Sequence, residues 1–195
     1  MRDMFKTTVP LLIICVIVAL CVSVVDYFRT DVMAMRERQN SEIQKKEVLA
    51  VADRFEEIKG WQGKASGTDI IKEAYRGISS DKTKGLVFIA YPKGYAGEIK
   101  VIIGINSEGF ISGVTVGNNK ETPGLGSKAA EPAFTGQYSN KSITSQINVV
   151  KKKPISKNEI QAISGATISS KAVTNAVNAA SKLGKVLLQE EVQGK

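Results

Sequence analysis

Small and hydroxyl-bearing side chains are concentrated in the sequence SGATISSK at residues 164–171. Apolar residues then recur at three- and four-residue spacings through residues 171–188, a pattern that predicts an amphipathic helix. The start of a helix presents backbone N–H groups without intrahelical acceptors and the positive end of the helix dipole. Gly165 and Ala166 leave room for a ligand near the backbone, so the segment is suited to binding a phosphate group. Taken alone, the same turn is also typical of a plain helix cap, because Ser and Thr are ordinary capping residues.

A second segment with binding potential is the loop KETPGLGSK at residues 120–128. Pro123, Gly124 and Gly126 predict a shaped loop whose backbone a ligand can approach closely. Its spacing fits neither a P-loop nor a dinucleotide-binding GxGxxG motif. On its own, an ordinary connecting loop explains it equally well.

The composition removes several kinds of catalytic and metal site. The 195-residue chain has no histidine, and its two cysteines, Cys15 and Cys21, lie inside an apolar run. Outside that run there can be no Ser-His-Asp triad, Cys-His nucleophile, histidine-rich zinc site or thiolate-bound iron-sulfur cluster. We therefore expect no metal site and no catalytic residue of these types, and any redox function must use an organic cofactor.

The apolar run spans residues 7–25, nineteen positions without a charge. A helix of that length covers about 28 Å, close to the hydrocarbon thickness of a bilayer, so a single transmembrane helix is predicted. A cleaved signal peptide or a lipoprotein site fits less well, because the run is long and no suitable small residues follow it or precede its cysteines. Positive charges flank the run on both sides, and the charge count does not decide the orientation.

The net charge of +8 includes a run of three lysines at residues 151–153. No aromatic residues are interleaved with them, so a solvated surface, or one near lipid headgroups, is favoured over nucleic-acid binding.

The remaining pattern predicts one α+β domain. Helical spacing at residues 48–58 predicts a first helix, and a short second helix is expected around residues 70–75. Strands are predicted at residues 86–91, 98–105 and 110–116, with a turn at 106–109, and together they form an antiparallel β-meander with flanking helices. The expected layout is an anchor at residues 1–28, a helical stalk at 29–45 and a domain at 46–195.

Three segments that follow the one predicted membrane span together resemble the FMN-binding subunits of two respiratory complexes. They are GYAGEIKVIIGINSEGFISGVTV at residues 94–116, then ETPGLG, and then SGAT before a helix. These are the G subunit of the Rnf ferredoxin:NAD oxidoreductase and the C subunit of the sodium-pumping NADH:quinone oxidoreductase. The short chain is more similar to the Rnf protein. The resemblance implies that FMN is joined covalently, through a phosphoester, to Thr167 by a separate flavin transferase. It further implies two groups of residues around the cofactor: Ser164, Gly165, Ala166, Ser169 and Ser170 at the phosphate and ribityl chain, and Glu121, Thr122, Gly124, Leu125 and Gly126 against the flavin.

Two positions depart from the family pattern. Gln161 stands where an acidic residue is common, and Asn119 stands where a histidine is common. Gln161 puts recognition by the transferase in question if a carboxylate is required there. Because residues 164–167 are intact, we still expect attachment of the flavin.

The expected function is electron relay through FMN within an ion-translocating complex, in which neighbouring membrane subunits complete the enzyme and movement of Na⁺ or H⁺ belongs to the assembly. The resemblance places the domain outside the cytoplasmic membrane, anchored in lipid by a single pass. Three alternatives stay open: a component of the quinone-reducing relative, a stand-alone extracytoplasmic FMN carrier, and a tethered, non-redox binding module.

Overall fold

The computed structural model describes residues 12–21, 23 and 40–193, and the chain divides into two compact units, Met1–Ile43 and Gln44–Lys195. In the first unit, residues 12–21 are helical. Within the described residues, no helix combines the length and the apolar character needed to cross a membrane. The predicted span at residues 7–25 and the predicted stalk at 29–45 both extend outside the described residues and stay predictions.

The second unit is built on a five-stranded antiparallel meander in which each strand pairs with the next along the chain. The strands run in sequence order, and the three that the sequence predicted correspond to the last three of the sheet. Their bounds are β1 Arg54–Glu57, β2 Ile71–Ser79, β3 Lys82–Ala90, β4 Val101–Asn106 and β5 Ile111–Val116. The antiparallel sheet with flanking helices confirms the predicted α+β class.

After the sheet, short elements lead to one long helix. A 3₁₀ turn at Gly126–Ala130, a helical turn at Pro132–Thr135 and a second 3₁₀ turn at Gly136–Tyr138 follow β5. Two short parallel strands, β6 Asn148–Val150 and β7 Glu159–Gln161, precede the C-terminal helix Thr167–Gln193. The predicted amphipathic helix is confirmed, and Thr167 is its first residue.

Both faces of the sheet are covered, which explains the continuous apolar runs in its central strands. Along β3, Leu86 and Phe88 pack into the cluster that includes the C-terminal helix, whereas Val87 and Ile89 pack on the opposite face against Val48 and its neighbours. Alternate side chains of a strand point to opposite faces, so a strand buried on both sides is apolar throughout. The helix contributes a stripe of buried residues to the first cluster: Ala172, Val173, Ala176, Val177, Ala180, Leu183 and Leu187.

Two helices expected from the sequence are corrected by the structure. The helix predicted at residues 48–58 is wrong, because the helical stretch 40–48 ends where that segment starts. Within the segment, Arg54–Glu57 forms the edge strand β1. Just before β1, the Asp53 amide donates a hydrogen bond to the Ile78 carbonyl (2.9 Å). The helix expected at residues 70–75 is instead the beginning of β2. In both segments the few apolar residues fit the spacing of a helix and that of a strand, and pairing with a neighbouring strand determined the secondary structure.

Two glycines allow the end of the helical stretch 40–48 to pack closely against the sheet. Gly104 and Gly113 lie opposite each other on β4 and β5, and the backbone of Val48 packs directly over them. The Ser112 hydroxyl donates a hydrogen bond to the Val48 carbonyl (2.5 Å). A Cβ atom at Gly104 would overlap that carbonyl oxygen, so the close approach requires glycine.

We expect Gly104→Ala to lower the free energy of unfolding by about 1–3 kcal/mol, because the added methyl group meets backbone rather than a flexible side chain. For a domain of this size the melting temperature should fall by about 2–4 °C per kcal/mol. The matched control is Gly97→Ala, where a Cβ would meet nothing within 4 Å. Thermal unfolding followed by circular dichroism checks both variants, and equal melting temperatures would contradict the packing argument.

Candidate functional site

The SGAT segment forms the tight entry into the C-terminal helix. The Ala166 amide donates to the Ile163 carbonyl (3.0 Å), and the first helical hydrogen bond runs from the Ser170 amide to the Ala166 carbonyl (3.0 Å). Gly165 has φ of +76°, a left-handed conformation that favours glycine. The amides at the start of the helix, before Ser170, have no intrahelical acceptors, as in any helix. The turn therefore presents donors and a positive dipole end at Thr167.

A cavity of about 540 Å³ lies beside this helix start. Its walls come from three segments that are distant in the sequence: the turn after Gly94, the loop at residues 121–126 and the helix start at residues 165–169. Its lining residues are Tyr95, Glu121, Thr122, Leu125, Gly126, Gly165, Ala166, Thr167, Ile168 and Ser169. The volume is within the range of about 300–1,000 Å³ that is usual for small-molecule sites.

The carboxylate of Glu121 joins the three segments. Glu121 is 5% exposed, and its Oε1 accepts hydrogen bonds from the amides of Tyr95 (2.9 Å) and Ala96 (3.0 Å). Its Oε2 accepts a hydrogen bond from the Ser169 hydroxyl (2.5 Å) on the first turn of the helix. A buried carboxylate requires such donors, and hydrogen bonds to a charged group are stronger than neutral ones.

Two glycines make room for this carboxylate. A Cβ atom at Gly94 would lie 2.5 Å from Glu121 Oε1. At Gly126, a Cβ atom would overlap Oε2 and would lie 2.8 Å from the Ser169 hydroxyl oxygen. Glycine at both positions is thus a condition for the carboxylate to reach all three of its donors.

Three serine and threonine hydroxyl groups line the cavity, and they differ in their availability. The Ser169 hydroxyl is buried and engaged by Glu121. Thr122 is exposed on the loop, whereas Thr167 is half-buried at the helix start. Within residues 40–190 no group is hydrogen-bonded to the Thr167 hydroxyl, so it is free to bind or react. The helix dipole favours negative charge developing or bound at that oxygen.

The exposed part of the cavity wall is largely apolar. Tyr95 is 71% exposed, Ile168 54% and Leu125 44%. Leu125 also contacts the turn, because a Cβ at Gly165 would lie 3.0 Å from its Cδ2 atom. These three side chains offer surfaces against which a planar ring can pack.

Most of the residues that the resemblance implied come together here. Eight of them line the cavity: Glu121, Thr122, Leu125, Gly126, Gly165, Ala166, Thr167 and Ser169. Ser164 is exposed beside the turn and Gly124 shapes the loop with φ of +76°, and neither lines the cavity. Ser170 is fully buried, and its hydroxyl accepts from the Ile163 amide (3.0 Å) and donates to the Ala166 carbonyl (2.9 Å).

Sequence reasoning did not single out Tyr95 or Ile168 as lining residues. Tyr95 follows Gly94 in the connection between the strands predicted at residues 86–91 and 98–105. Ile168 lies outside the buried stripe of the C-terminal helix, and the position of an apolar side chain directly after the SGAT segment was the signal that could have identified it.

The FMN-binding domain family matches residues 94–182, a range that contains every segment of the cavity wall. Over 186 residues the chain is 34% identical to the G subunit of the Na⁺-translocating ferredoxin:NAD⁺ oxidoreductase complex of Acetobacterium woodii, with 91% of this chain and 89% of that protein covered. It is 33% identical over 179 residues to the G subunit of the proton-translocating ferredoxin:NAD⁺ oxidoreductase complex of Clostridium ljungdahlii, with 92% and 90% covered. The fold is similar to that of Shewanella oneidensis NqrC, with a TM-score of 0.52 and 20% identity over 63% of this chain and 61% of that one.

We expect Glu121→Ala to lower the free energy of unfolding by about 1–3 kcal/mol, because it leaves the Tyr95 and Ala96 amides without their acceptor. Hydrogen exchange of these two amides should accelerate, and Glu121→Gln should restore part of the protection because one oxygen remains. Glu131→Ala is the control, since this exposed glutamate makes no side-chain capping bond. Unchanged exchange at Ala96 in Glu121→Ala would contradict the role assigned to the carboxylate.

Proposed function

The chain belongs to the family of G subunits of ion-translocating oxidoreductase complexes, and from this premise we propose that it carries FMN and relays electrons within such a complex. The observation that carries the proposal is the cavity beside Thr167. The cavity lies between the loop at residues 121–126 and the start of the C-terminal helix. Its walls are inside the region matched by the FMN-binding domain family.

The residues present fit the chemistry of FMN. A phosphate group is suited to the start of the helix, where free backbone amides and the positive dipole end lie next to Gly165. An isoalloxazine ring is suited to the apolar surfaces of Tyr95, Leu125 and Ile168. When bound, FMN supplies the redox chemistry of the site, because its ring system accepts and releases electrons.

We further propose that the phosphate of FMN is joined to the Thr167 oxygen by a phosphoester, which a flavin transferase installs. Support comes from the free, half-buried Thr167 hydroxyl at the first position of the helix. Ser169 is unsuited to this linkage because its hydroxyl is committed to Glu121. In this role Thr167 is an attachment point, while Glu121 and the glycines around it position the cavity walls.

The proposed arrangement in the cell follows from the sequence pattern and the family. Residues 1–28 would anchor the chain in the cytoplasmic membrane by a single pass, residues 29–45 would form the stalk, and residues 46–195 would form an extracytoplasmic FMN-binding domain. The relatives are named as subunits of complexes that translocate Na⁺ or protons. We therefore propose the other membrane subunits of an Rnf-type complex as electron-transfer partners. A covalent link is useful on the outer face, where a cofactor bound without one could be lost.

We expect Thr167→Ala to abolish covalent flavin attachment when the full chain is expressed with its flavin transferase. The wild-type polypeptide should keep flavin fluorescence after denaturing electrophoresis, and the variant should not. Thr122→Ala is the matched variant, because it removes a threonine hydroxyl from the same cavity and should leave the fluorescent band in place. A fluorescent Thr167→Ala band would overturn the site, and a dark wild-type band would overturn the covalent linkage.

We expect the complex carrying Thr167→Ala to assemble but to lose ferredoxin-dependent reduction of NAD⁺, because only the relay is interrupted. The variant affects one half-buried side chain outside the main core, so subunit composition after affinity purification should match that of the wild type. Full activity without flavin on this chain would contradict the relay role. Full activity with FMN retained without a covalent bond would show that the linkage is dispensable.

A further inference from the structure

The loop between β6 and β7 combines strong positive charge with one prominent apolar side chain. Lys151, Lys152 and Lys153 are exposed at the start of the loop, and Lys157 is exposed further along it. Between them, Ile155 is 98% exposed, a higher value than that of any other large hydrophobic residue in the described part of the chain. Neither the FMN cavity nor its walls use this loop.

The conformation of the loop is held by hydrogen bonds at Ile155 and on its C-terminal side. The carboxylate of Glu159 accepts hydrogen bonds from the amides of Ile155 (2.9 Å) and Ser156 (3.2 Å), and these bonds hold the pKa of Glu159 below its usual value. The Lys141 ammonium group donates a hydrogen bond to the Lys157 carbonyl. Ile155 is therefore presented to solvent by a defined backbone.

The positive charge of the lysines in the loop is not balanced by carboxylates nearby in the sequence. Glu159 is the single carboxylate between residues 148 and 161, and it is turned towards the backbone amides. In the salt bridges found among the described residues, none of the lysines at residues 151–153 takes part. The exposed surface thus offers several ammonium groups around one apolar side chain.

We propose that this loop, residues 151–158, docks onto a bilayer surface that contains anionic lipid headgroups. The lysines bind the headgroup phosphates, and the Ile155 side chain enters the boundary between headgroups and acyl chains. Basic residues beside an exposed apolar side chain are the combination by which peripheral segments bind anionic membranes. The docking needs no flavin, and it goes beyond the relay function proposed above.

A lipid surface fits these residues better than a protein partner. A stable protein interface buries about 800 Å² on each side around an apolar centre from which lysine is depleted. Here the other apolar residues of the two short strands, Val149, Val150 and Ile160, are buried or half-buried, and lysines surround the one exposed apolar side chain. A single inserted side chain with several headgroup contacts needs no such continuous apolar centre.

The test uses the full chain carrying Ile155→Trp, reconstituted in nanodiscs with brominated acyl chains. The native Trp61 is 5% exposed in the core and gives a constant background. In discs that contain phosphatidylglycerol, fluorescence of the introduced tryptophan should shift to shorter wavelength and be quenched. In discs of phosphatidylcholine alone it should resemble that of the protein in detergent, and high salt should reverse the quenching.

Replacing Lys151, Lys152 and Lys153 by glutamine should lower the ratio of docked to undocked loop by about a hundredfold, at about fivefold for each lysine. Phe110→Trp is the control probe, since Phe110 is 39% exposed and lies outside the loop, and it should be quenched less than the tryptophan at position 155. Alkaline extraction tests insertion of the predicted anchor separately, so failure of the anchor is distinguishable from failure of docking.

Three outcomes would overturn the proposal. The first is equal quenching in discs with and without phosphatidylglycerol, and the second is quenching that persists after replacement of the lysines. The third is absence of quenching together with cross-linking from position 155 to another protein of the assembled complex, which would assign the loop to a protein interface.

Discussion

The buried carboxylate of Glu121 is the constraint on which the shape of the site depends. Its two oxygens receive three donors, from the Tyr95 and Ala96 amides and from the Ser169 hydroxyl, and these donors lie 25 to 48 positions away along the chain. Without them a carboxylate that is 5% exposed would be strongly unfavourable. The need to satisfy this one group therefore brings together the turn after Gly94, the loop at residues 121–126 and the first turn of the helix, and the cavity lies where the three meet.

The core determines where Thr167 is held. The C-terminal helix is packed by its apolar stripe against the sheet, with Ala172 and Val173 buried within two turns of its first residue. A side chain on the first turn of such a helix has little freedom to move relative to the strands. The loop at residues 121–126 is connected to that helix start and to the turn after Gly94 by the hydrogen bonds of Glu121. A rigid helix start facing a loop held by one carboxylate is the usual way in which a scaffold positions a binding site.

The sequence predicted those parts of the structure that local pattern determines. The apolar patterns of β3 to β5 and the three- and four-residue spacing of the C-terminal helix were sufficient, because each of these elements buries a large apolar surface. The helices predicted at residues 48–58 and 70–75 were wrong. Their few apolar positions fitted both helical and strand spacing, and the pairing of β1 with β2 is a tertiary contact. The resemblance placed Glu121 at the site. No local sequence pattern could show that its oxygens accept hydrogen bonds from Tyr95, Ala96 and Ser169. Tyr95 was missed for the same reason, because its place in the wall depends on that long-range contact, whereas Ile168 directly follows the SGAT segment and had a local signal.

In the hydroxyl-rich turn, the hydrogen bonds that form the helix start are made by side chains other than Thr167. Ser170 performs the structural task, since its hydroxyl links the Ile163 amide to the Ala166 carbonyl and closes the turn from the buried side. Ser169 is committed to Glu121, so it too belongs to the framework. Because these two neighbours satisfy the turn, the Thr167 hydroxyl is not needed to hold the helix start and remains available at its positive end. A segment with several hydroxyls can therefore be both a well-formed helix start and a site with one oxygen to spare.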